Sequence, residues 1–309
     1  MHGPNTSQKY PFSGYVFALL ATVIWSGNFI VSRGMAEEIG PVTLAFFRWL
    51  TACIVLLPFA LHSMTLQRRE ILANLKLLVP TAFLGVTVFN TMVYIAGHHT
   101  TALNMSILTV FTPVFIIVLA RIFLGEPITP TRLVGVMLAV SGVVTLATGG
   151  DLGRLAGLEF NSGDLVMLMA TLVFAAYTVL VRRKPAILRP VTYLGATFVL
   201  GLFMLTPWAA WEWMSTPPAV PPLHVVGSIL YVGLGASLVS YLCWNRAVAT
   251  IGPSKAGIVY YSLPLFCGIE AWIILGEKVS LIHALAGGLI ISGILLANRK
   301  VQRENEAGA

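Results

Sequence analysis

Long apolar stretches separated by short polar connections recur along the whole chain. Because an α-helix rises about 1.5 Å per residue, about 20 mostly apolar residues are needed to cross a hydrocarbon layer roughly 30 Å thick. Ten stretches reach or approach that length, and the fifth and sixth are the shortest. We predict one membrane-spanning helix over each of Gly14–Arg33, Val42–His62, Leu75–Ala96, Ala102–Phe123, Leu133–Thr148, Leu165–Val181, Val191–Trp211, Val225–Val248, Ala256–Leu275 and Leu281–Asn298. The pattern therefore predicts an all-α integral membrane protein with ten transmembrane helices.

The composition supports this prediction. Of the 309 residues, 57% are hydrophobic and 10% are charged, and the mean hydropathy is +0.85. An average soluble domain has about 25% charged residues, so this composition excludes an ordinary soluble enzyme and a disordered or fibrous chain. The net charge of +7 does not indicate nucleic-acid binding, because the basic residues lie in short connections rather than along one folded face. Basic residues so placed are typical of loops at an anionic membrane surface.

The basic residues also predict the orientation. With the N-terminus inside, the outer connections hold only Arg33, Arg154 and Lys278, and Arg48 lies within a segment. Such a bias identifies the richer side as cytoplasmic, so we expect both termini in the cytoplasm of a bacterial-type inner membrane. The predicted inner residues are Lys9, Arg68, Arg69, Lys76, Arg121, Arg132, Arg182, Arg183, Lys184, Arg189, Arg246, Lys255, Arg299, Lys300 and Arg303.

An internal repeat divides the chain into two halves. An offset of 151 residues places Pro113 on Pro264, and 11 identities fall without a gap between residues 101–142 and 252–293. An offset of 149 places Gly14 on Gly163 and Arg33 on Arg182. Five is an odd number of helices, so the second half, residues 151–309, must start on the opposite face from the first, residues 1–150. We therefore predict two inverted five-helix repeats around a central cavity, a design that supports alternating access in transporters.

Several short tracts occur at or near the ends of the predicted helices or within them. They are Leu124-Gly125-Glu126-Pro127, Leu275-Gly276-Glu277, Trp25-Ser26-Gly27-Asn28-Phe29, Leu44-Ala45-Phe46-Phe47-Arg48-Trp49, Trp244-Asn245-Arg246-Ala247 and Gly252-Pro253-Ser254. In these tracts the sequence resembles the EamA-type members of the drug/metabolite transporter superfamily. The resemblance implies a central cavity lined by helices 1, 3, 4, 6, 8 and 9, with helices 5 and 10 as peripheral supports. It also implies export of amino acids or other small metabolites.

Two charged residues lie deep within the predicted helices. Arg48 and Glu270 are each about six residues from the outer end of their segment, roughly 9 Å below the outer interface. Because their depths match, we expect that they could face one another. A structural ion pair and a gate or proton-linked site are both open interpretations, and the structural role is favoured for Arg48.

Polar and aromatic residues on the helices assigned to the cavity form a second group. Amphipathic rings and amides can hold a small zwitterion, although each of them can also tie two helices together or fill the core. The candidates for substrate binding are Trp25, Asn28, Asn90, Tyr94, Tyr177, Tyr241 and Tyr260. Pro113 and Pro264 are expected to interrupt helices 4 and 9, either as hinges or as static bends.

These features favour a secondary active transporter that exports amino acids, with an exporter of drugs, cationic compounds or other small metabolites as the alternative. A channel or an intramembrane enzyme is a more distant alternative. The chain has no phosphate-binding loop, no His-Glu-x-x-His motif and no Gly-x-Ser-x-Gly motif. We expect no cofactor or metal, a small-molecule substrate, protons as a candidate coupling ion, and a monomer or homodimer in the bilayer.

Overall fold

A computed structural model describes residues 11–100, 105, 108–151, 153, 161–218, 220–275 and 281–299. Helices occupy nearly all of these residues, and the described ranges contain no β-strand. The helices are α1 (Pro11–Gly34), α2 (Pro41–Leu66), α3 (Arg68–Ala73), α4 (Leu75–His99), α5 (Phe111–Leu124), α6 (Pro130–Thr148), α7 (Ser162–Arg182), α8 (Pro190–Ser215), α9 (Leu223–Ile251), α10 (Pro253–Val259), α11 (Leu263–Leu275) and α12 (Leu281–Ala297).

The helices have the length and composition of membrane spans. Within the described part of the chain, seven helices are long and apolar enough to cross a bilayer, namely α1, α2, α4, α6, α7, α8 and α9. Two further apolar helices, α5 and α12, are shorter. The prediction of an all-α integral membrane protein is therefore confirmed.

Local sequence signals determine where several helices begin and end. At the start of α7, Asn161 and Asp164 form a reciprocal capping box, with hydrogen bonds of 3.1 and 2.9 Å. The Thr129 hydroxyl accepts from the backbone at the start of α6. Gly125 and Gly149 follow α5 and α6 with φ angles of 69° and 62°, a left-handed conformation that glycine adopts without strain.

Two of the long helices contain wider π-helical turns, at Phe83–Val88 in α4 and at Tyr231–Val239 in α9. Because these turns disturb the regular i to i−4 hydrogen bonds, their carbonyl groups can accept from side chains of other helices. The Gly85 carbonyl accepts from Tyr241 at 2.6 Å, and the Ala236 carbonyl accepts from Trp25 at 2.8 Å. The π turns thus supply polar groups at the centre of the fold.

The two repeat-related prolines differ from their predicted placement. Pro113 is the third residue of α5 and Pro264 is the second residue of α11, so neither lies inside a continuous helix. The first turn of a helix has no intrahelical N–H bond to lose, and proline is tolerated there. Each proline follows a break in the chain path, a turn at residues 109–110 and a 3₁₀ turn at Tyr260–Ser262.

Among the described residues, the two ends of the bundle carry opposite net charge. At one end, Gly14 lies against Ile251, and Arg183 donates to the Phe123 carbonyl at 2.6 Å. At the other end, Glu212 accepts from the backbone N–H groups of Val42 and Thr43 at the start of α2. We call these the basic end and the acidic end. The basic end carries Arg68, Arg69, Lys76, Arg121, Arg132, Arg182, Arg183, Lys184, Arg189, Arg246, Lys255 and Arg299 with Glu70 and Glu126; the acidic end carries Glu37, Glu38, Asp151, Asp164 and Glu212 with Arg33.

Helices α6 and α12 pack on each other at the side of the bundle, with an apolar cluster separate from the main core. Glycines allow their backbones to approach closely. A Cβ atom at Gly142 would lie 2.8 Å from the Ala286 carbonyl oxygen, and one at Gly293 would lie 2.5 Å from the Ala139 nitrogen. Gly135 lies against Ala297. Contacts that lie further along α6 involve earlier residues of α12, so the two helices are antiparallel.

Candidate functional site

Arg48 lies at the centre of the fold and is fully buried. Its Nη1 donates to Asn28 Oδ1 at 2.8 Å and to Tyr94 Oη at 2.7 Å. Its Nη2 donates to the Ala236 carbonyl at 2.8 Å, and its Nε donates to Ser237 Oγ. All four acceptors are neutral, and no carboxylate of the described residues forms an ion pair with Arg48. Arg48 is therefore a buried cation. Neutral acceptors take most of its N–H groups, but no negatively charged side chain of the described residues neutralises its charge.

Glu270 has a different set of partners. Ser26 Oγ donates to Glu270 Oε1 at 2.6 Å, and Glu270 Oε2 is buried without a hydrogen-bond partner among the described residues. Arg48 and Glu270 form no ion pair, so of the interpretations left open by the sequence the structural ion pair is not observed. A matching depth fixes the position of a residue along a helix but not the direction in which it points.

Aromatic side chains from several helices form a cluster around Trp25. The centroid of the Trp25 ring lies 5.3 Å from Phe174, 5.8 Å from Tyr241, 5.3 Å from Trp244 and 6.1 Å from Tyr260. Edge-to-face and tilted geometries predominate, as expected for rings with negative faces and positive edges. The cluster makes a buried wall of rings beside Arg48.

Three hydrogen bonds between asparagine and tyrosine connect the remaining candidates. Tyr94 Oη donates to Asn28 Oδ1 at 3.0 Å, and Tyr94 lies five residues before the end of α4 at the acidic end of the bundle. Tyr177 Oη donates to Asn245 Oδ1 at 2.7 Å, and Tyr177 lies five residues before the end of α7 at the basic end of the bundle. We call these the acidic-end pair and the basic-end pair.

Between these two pairs, Asn90 Nδ2 donates to Tyr241 Oη at 3.0 Å, and both side chains are buried. Asn90 also donates to the Gly85 carbonyl at 3.3 Å, the acceptor that Tyr241 shares. This central bond joins α4 to α9 at the π turn of α4. Asn90 is about one turn of α4 from Tyr94, and Tyr241 is about one turn of α9 from Asn245, so the central bond lies between the other two.

The structure brings together all seven residues predicted to bind substrate. Each of them is buried, so this group is closed toward both ends of the bundle. Pro113 and Pro264 are buried at the starts of α5 and α11. Gly276 and Glu277 of the second Leu-Gly-Glu tract, and the start of the predicted fourth helix at residues 102–104, fall outside the described residues.

Several residues of this group were missed by sequence reasoning. Asn245 and Ser237 bond directly to predicted site residues, and Phe174 and Trp244 pack on Trp25. The repeat offsets contain a signal for two of them, because an offset of 149 places Trp25 on Phe174 and an offset of 151 places Tyr94 on Asn245. Neither pair is an identity, so a search for identical residues passes over them.

A cavity of about 840 Å³ lies at the basic end, between α1, α8, α9 and the connection from α7 to α8. Its lining is mostly apolar, and Asn245 of the basic-end pair forms part of it. Lys184 lines it from the connection, where partial burial lowers the pKa of its ammonium group below the usual range.

Comparisons with known proteins agree with this architecture. The model of the EamA-like transporter family matches residues 12–148 and again residues 161–299. An uncharacterized transporter of Archaeoglobus fulgidus is 30% identical over 291 residues, which cover 93% of this chain and 97% of that protein. A protein of Streptantibioticus cattleyicolor named a probable terminal-alkyne amino-acid exporter is 27% identical, covering 94% and 96%.

One solved crystal structure shares the fold, with a TM-score of 0.74 at 16% sequence identity, and covers 92% of this chain and 96% of that one. These relatives and the matching family are transporters rather than enzymes. The family match covers nearly the whole chain in its two copies. The protein therefore belongs to the EamA-like transporter family and is a membrane transporter of small molecules.

Proposed function

We propose that this protein is a secondary active carrier that exports small metabolites with a carboxylate group, amino acids in particular, by alternating access. The observation that carries the proposal is the buried charge of Arg48, which no carboxylate of the described residues neutralises. A guanidinium group has five N–H donors in a planar fork that suits a carboxylate. In Arg48 four hydrogen bonds go to neutral acceptors of the protein. A substrate carboxylate would supply the missing negative charge.

We further propose the fold of ten helices in two inverted repeats, residues 1–150 and 151–309. Reciprocal contacts support it. Gly142 lies against Ile290, and Gly293 lies against Ala139; the offset of 151 converts each contact into the other. An axis along the membrane normal would make α6 and α12 parallel, so their antiparallel contact supports an axis in the membrane plane.

The contacts of the arginines repeat in the same way. Arg33 donates to the Gly97 carbonyl at 3.0 Å at the end of α4, and Arg182 donates to the Ala249 carbonyl at 2.7 Å near the end of α9. These arginines correspond under the offset of 149. Each therefore holds the C-terminal carbonyls of the equivalent helix, one at the acidic end and the other at the basic end.

The acidic-end and basic-end pairs support alternating access. Asn28 corresponds to Tyr177 by the offset of 149, and Tyr94 corresponds to Asn245 by the offset of 151. The same hydrogen bond thus occurs near both ends, with the two residue types exchanged. We assign the pairs as two gates, both closed in this conformation, of which one opens at a time to give access from one side.

Glu270 is proposed as the proton-coupling residue. It lies in α11, and one of its carboxylate oxygens is buried without a hydrogen-bond partner among the described residues. The offset of 151 places it on Leu119, so the first half of the chain has no equivalent carboxylate. A buried carboxylate at a position where only one half of the chain has one suits a role that only one half performs.

The basic end is assigned to the cytoplasm by the excess of lysine and arginine there. This orientation places both termini inside a bacterial-type inner membrane. Whether the protein is a monomer or a homodimer in the bilayer stays a prediction.

One arrangement favours the alternative of a cationic drug or other cationic metabolite as substrate. Trp25 and its neighbouring rings could hold a cation on their faces, and Glu270 is a nearby buried carboxylate. The substrate proposal and this alternative predict opposite ligand charges.

Thermal shift of the purified wild-type protein distinguishes them. Amino acids should raise its melting temperature, whereas their methyl esters, which lack a carboxylate, should not. Equal stabilisation by esters, or stabilisation by cationic drugs alone, would contradict the substrate proposal. Arg48→Gln should abolish the shift, with Arg121→Gln as a control on an exposed arginine of the basic end. Counterflow of the stabilising amino acid in liposomes then tests transport itself.

A further inference from the structure

The cavity at the basic end has a lining unlike that of the closed central site. Its apolar wall includes Phe17 of α1, Leu194 of α8 and Leu242 of α9. Its basic residues are Lys184, Arg189 and Arg246, and its lining contains no acidic side chain. An apolar chamber with cationic groups at one end complements an amphiphile with an anionic head.

The basic side chains differ in how strongly the protein itself engages them. Lys184 Nζ donates to the Leu188 carbonyl at 2.7 Å, so this ammonium group is bound within the α7–α8 connection. The guanidinium groups of Arg189 and Arg246 make no hydrogen bond or ion pair with any residue that the structure describes, and both residues are exposed. Two arginine forks are therefore free to bind a phosphate group, which they suit by their planar donor geometry.

The exposed side of the cavity includes one face of α9. Leu242, Arg246 and Ala249 form one stripe of α9, at the spacing of residues on one helix face, and all three are exposed. Ile187, which covers the same region from the α7–α8 connection, is 61% exposed. Since α9 is long and apolar enough to cross a bilayer, we expect lipid to meet this exposed face.

We propose that this cavity binds one anionic phospholipid, with its phosphate between Arg189 and Arg246 and its acyl chains against Phe17, Leu194 and Leu242. The choice of leaflet rests on the proposed function, because the basic end is there assigned to the cytoplasm. Binding of the lipid in the cavity does not depend on that assignment. Basic pockets between membrane helices on that side are known to select anionic headgroups.

Lipid binding here acts next to the basic-end pair. Asn245 lines the cavity and accepts the hydrogen bond from Tyr177, while Arg246 is the next residue of α9. A phosphate held by Arg189 and Arg246 joins the α7–α8 connection to α9 across the opening. The bound lipid thereby stabilises the conformation in which this end is closed.

Native mass spectrometry with defined lipids tests the proposal. The detergent-purified full chain is titrated with phosphatidylglycerol and with phosphatidylcholine of the same acyl chains. We expect one phosphatidylglycerol to be retained in preference to phosphatidylcholine, and Arg189→Gln/Arg246→Gln to weaken its binding about 30-fold. The matched control is Arg121→Gln/Arg299→Gln, which removes two exposed arginines of the same end outside the cavity and should leave binding unchanged.

Cys243 provides a second measurement that needs no loss of arginine. It lines the cavity, and Cys53→Ala/Cys267→Ala leaves it as the single thiol. In phosphatidylcholine liposomes we expect a lipid-soluble maleimide to label it, a charged maleimide not to, and added phosphatidylglycerol to slow the labelling.

Equal retention of the two lipids, or equal binding by the variant and its control, would overturn the proposal. Labelling by the charged maleimide, with protection by a transported solute, would also overturn it, since the cavity would then be a water-filled vestibule. None of these outcomes affects the carboxylate selectivity of the central site, so the two proposals fail separately.

Discussion

Tyr177→Phe removes a single oxygen atom from the basic-end pair and should loosen only that end of the bundle. The lost hydrogen bond is 2.7 Å long, and Tyr177 is buried. A typical intramolecular hydrogen bond contributes about 0.5–1.5 kcal/mol net, and here the loss leaves Asn245 Oδ1 without its donor. The equilibrium between closed and open basic ends should therefore shift toward the open form by about 2- to 10-fold.

Tyr94→Phe is the matched variant at the other end. It removes the equivalent bond to Asn28, and it also removes one acceptor of Arg48, so its effect should be at least as large. Both variants replace a buried tyrosine by phenylalanine and keep the aromatic ring. Any general effect of the substitution on folding is thus shared by the two proteins.

Hydrogen–deuterium exchange measured by mass spectrometry reports opening without a known substrate. Tyr177→Phe should raise exchange about 2- to 10-fold in the connection 182–190 and leave residues 34–43 unchanged. Tyr94→Phe should give the reverse pattern. The assignment of the pairs as gates is refuted if both variants loosen the same end, or if neither changes exchange at its own end.

Three further substitutions test other parts of the structure. Gly293→Ala should lower stability by about 1–3 kcal/mol in thermal unfolding, because the added Cβ would meet the α6 backbone, whereas Gly288→Ala, where nothing lies within 4 Å, should be neutral or stabilising; equal effects would contradict the close packing. Glu212→Gln should destabilise the acidic end by about 1–3 kcal/mol, since its carboxylate accepts from N–H groups at the start of α2; unchanged unfolding and exchange there would show that the contact is unimportant. Glu270→Gln should abolish the pH dependence of transport in proteoliposomes across a pH series, and an unchanged pH profile would remove Glu270 from coupling.

The membrane spans could be predicted from sequence because hydrophobic length has a direct physical meaning in a bilayer. The predicted stretch Leu133–Thr148 lies within α6, and Leu75–Ala96 lies within α4. The π turn at Phe83–Val88 could not be predicted, since its residues are as apolar as those of a regular helix. That turn exposes the carbonyl to which Tyr241 donates, so an essential part of the site geometry left no sequence signal.

The composition of the candidate site was easier to predict than its connections. Rare polar groups in apolar stretches identified Arg48 and Glu270, because burying such groups is costly. Their partners depend on the rotation of each helix about its axis, and a run of apolar residues on all sides gives no information about that rotation. Arg48 therefore bonds to Asn28 and Tyr94, while Glu270 bonds to Ser26.

The contact between α6 and α12 also bears on how such a chain arose. The contact of Gly142 with Ile290 is equivalent to that of Gly293 with Ala139 under the offset of 151. Each half of the chain therefore contributes the same surface to the interface. In an assembly of separate chains this is the form of an isologous dimer interface. A duplicated and fused gene would carry that interface inside a single polypeptide, where the effective concentration of the two halves does not depend on expression level. Each half is then released to diverge on its own, and the lone carboxylate of Glu270 is the kind of difference that a pair of identical subunits could never acquire.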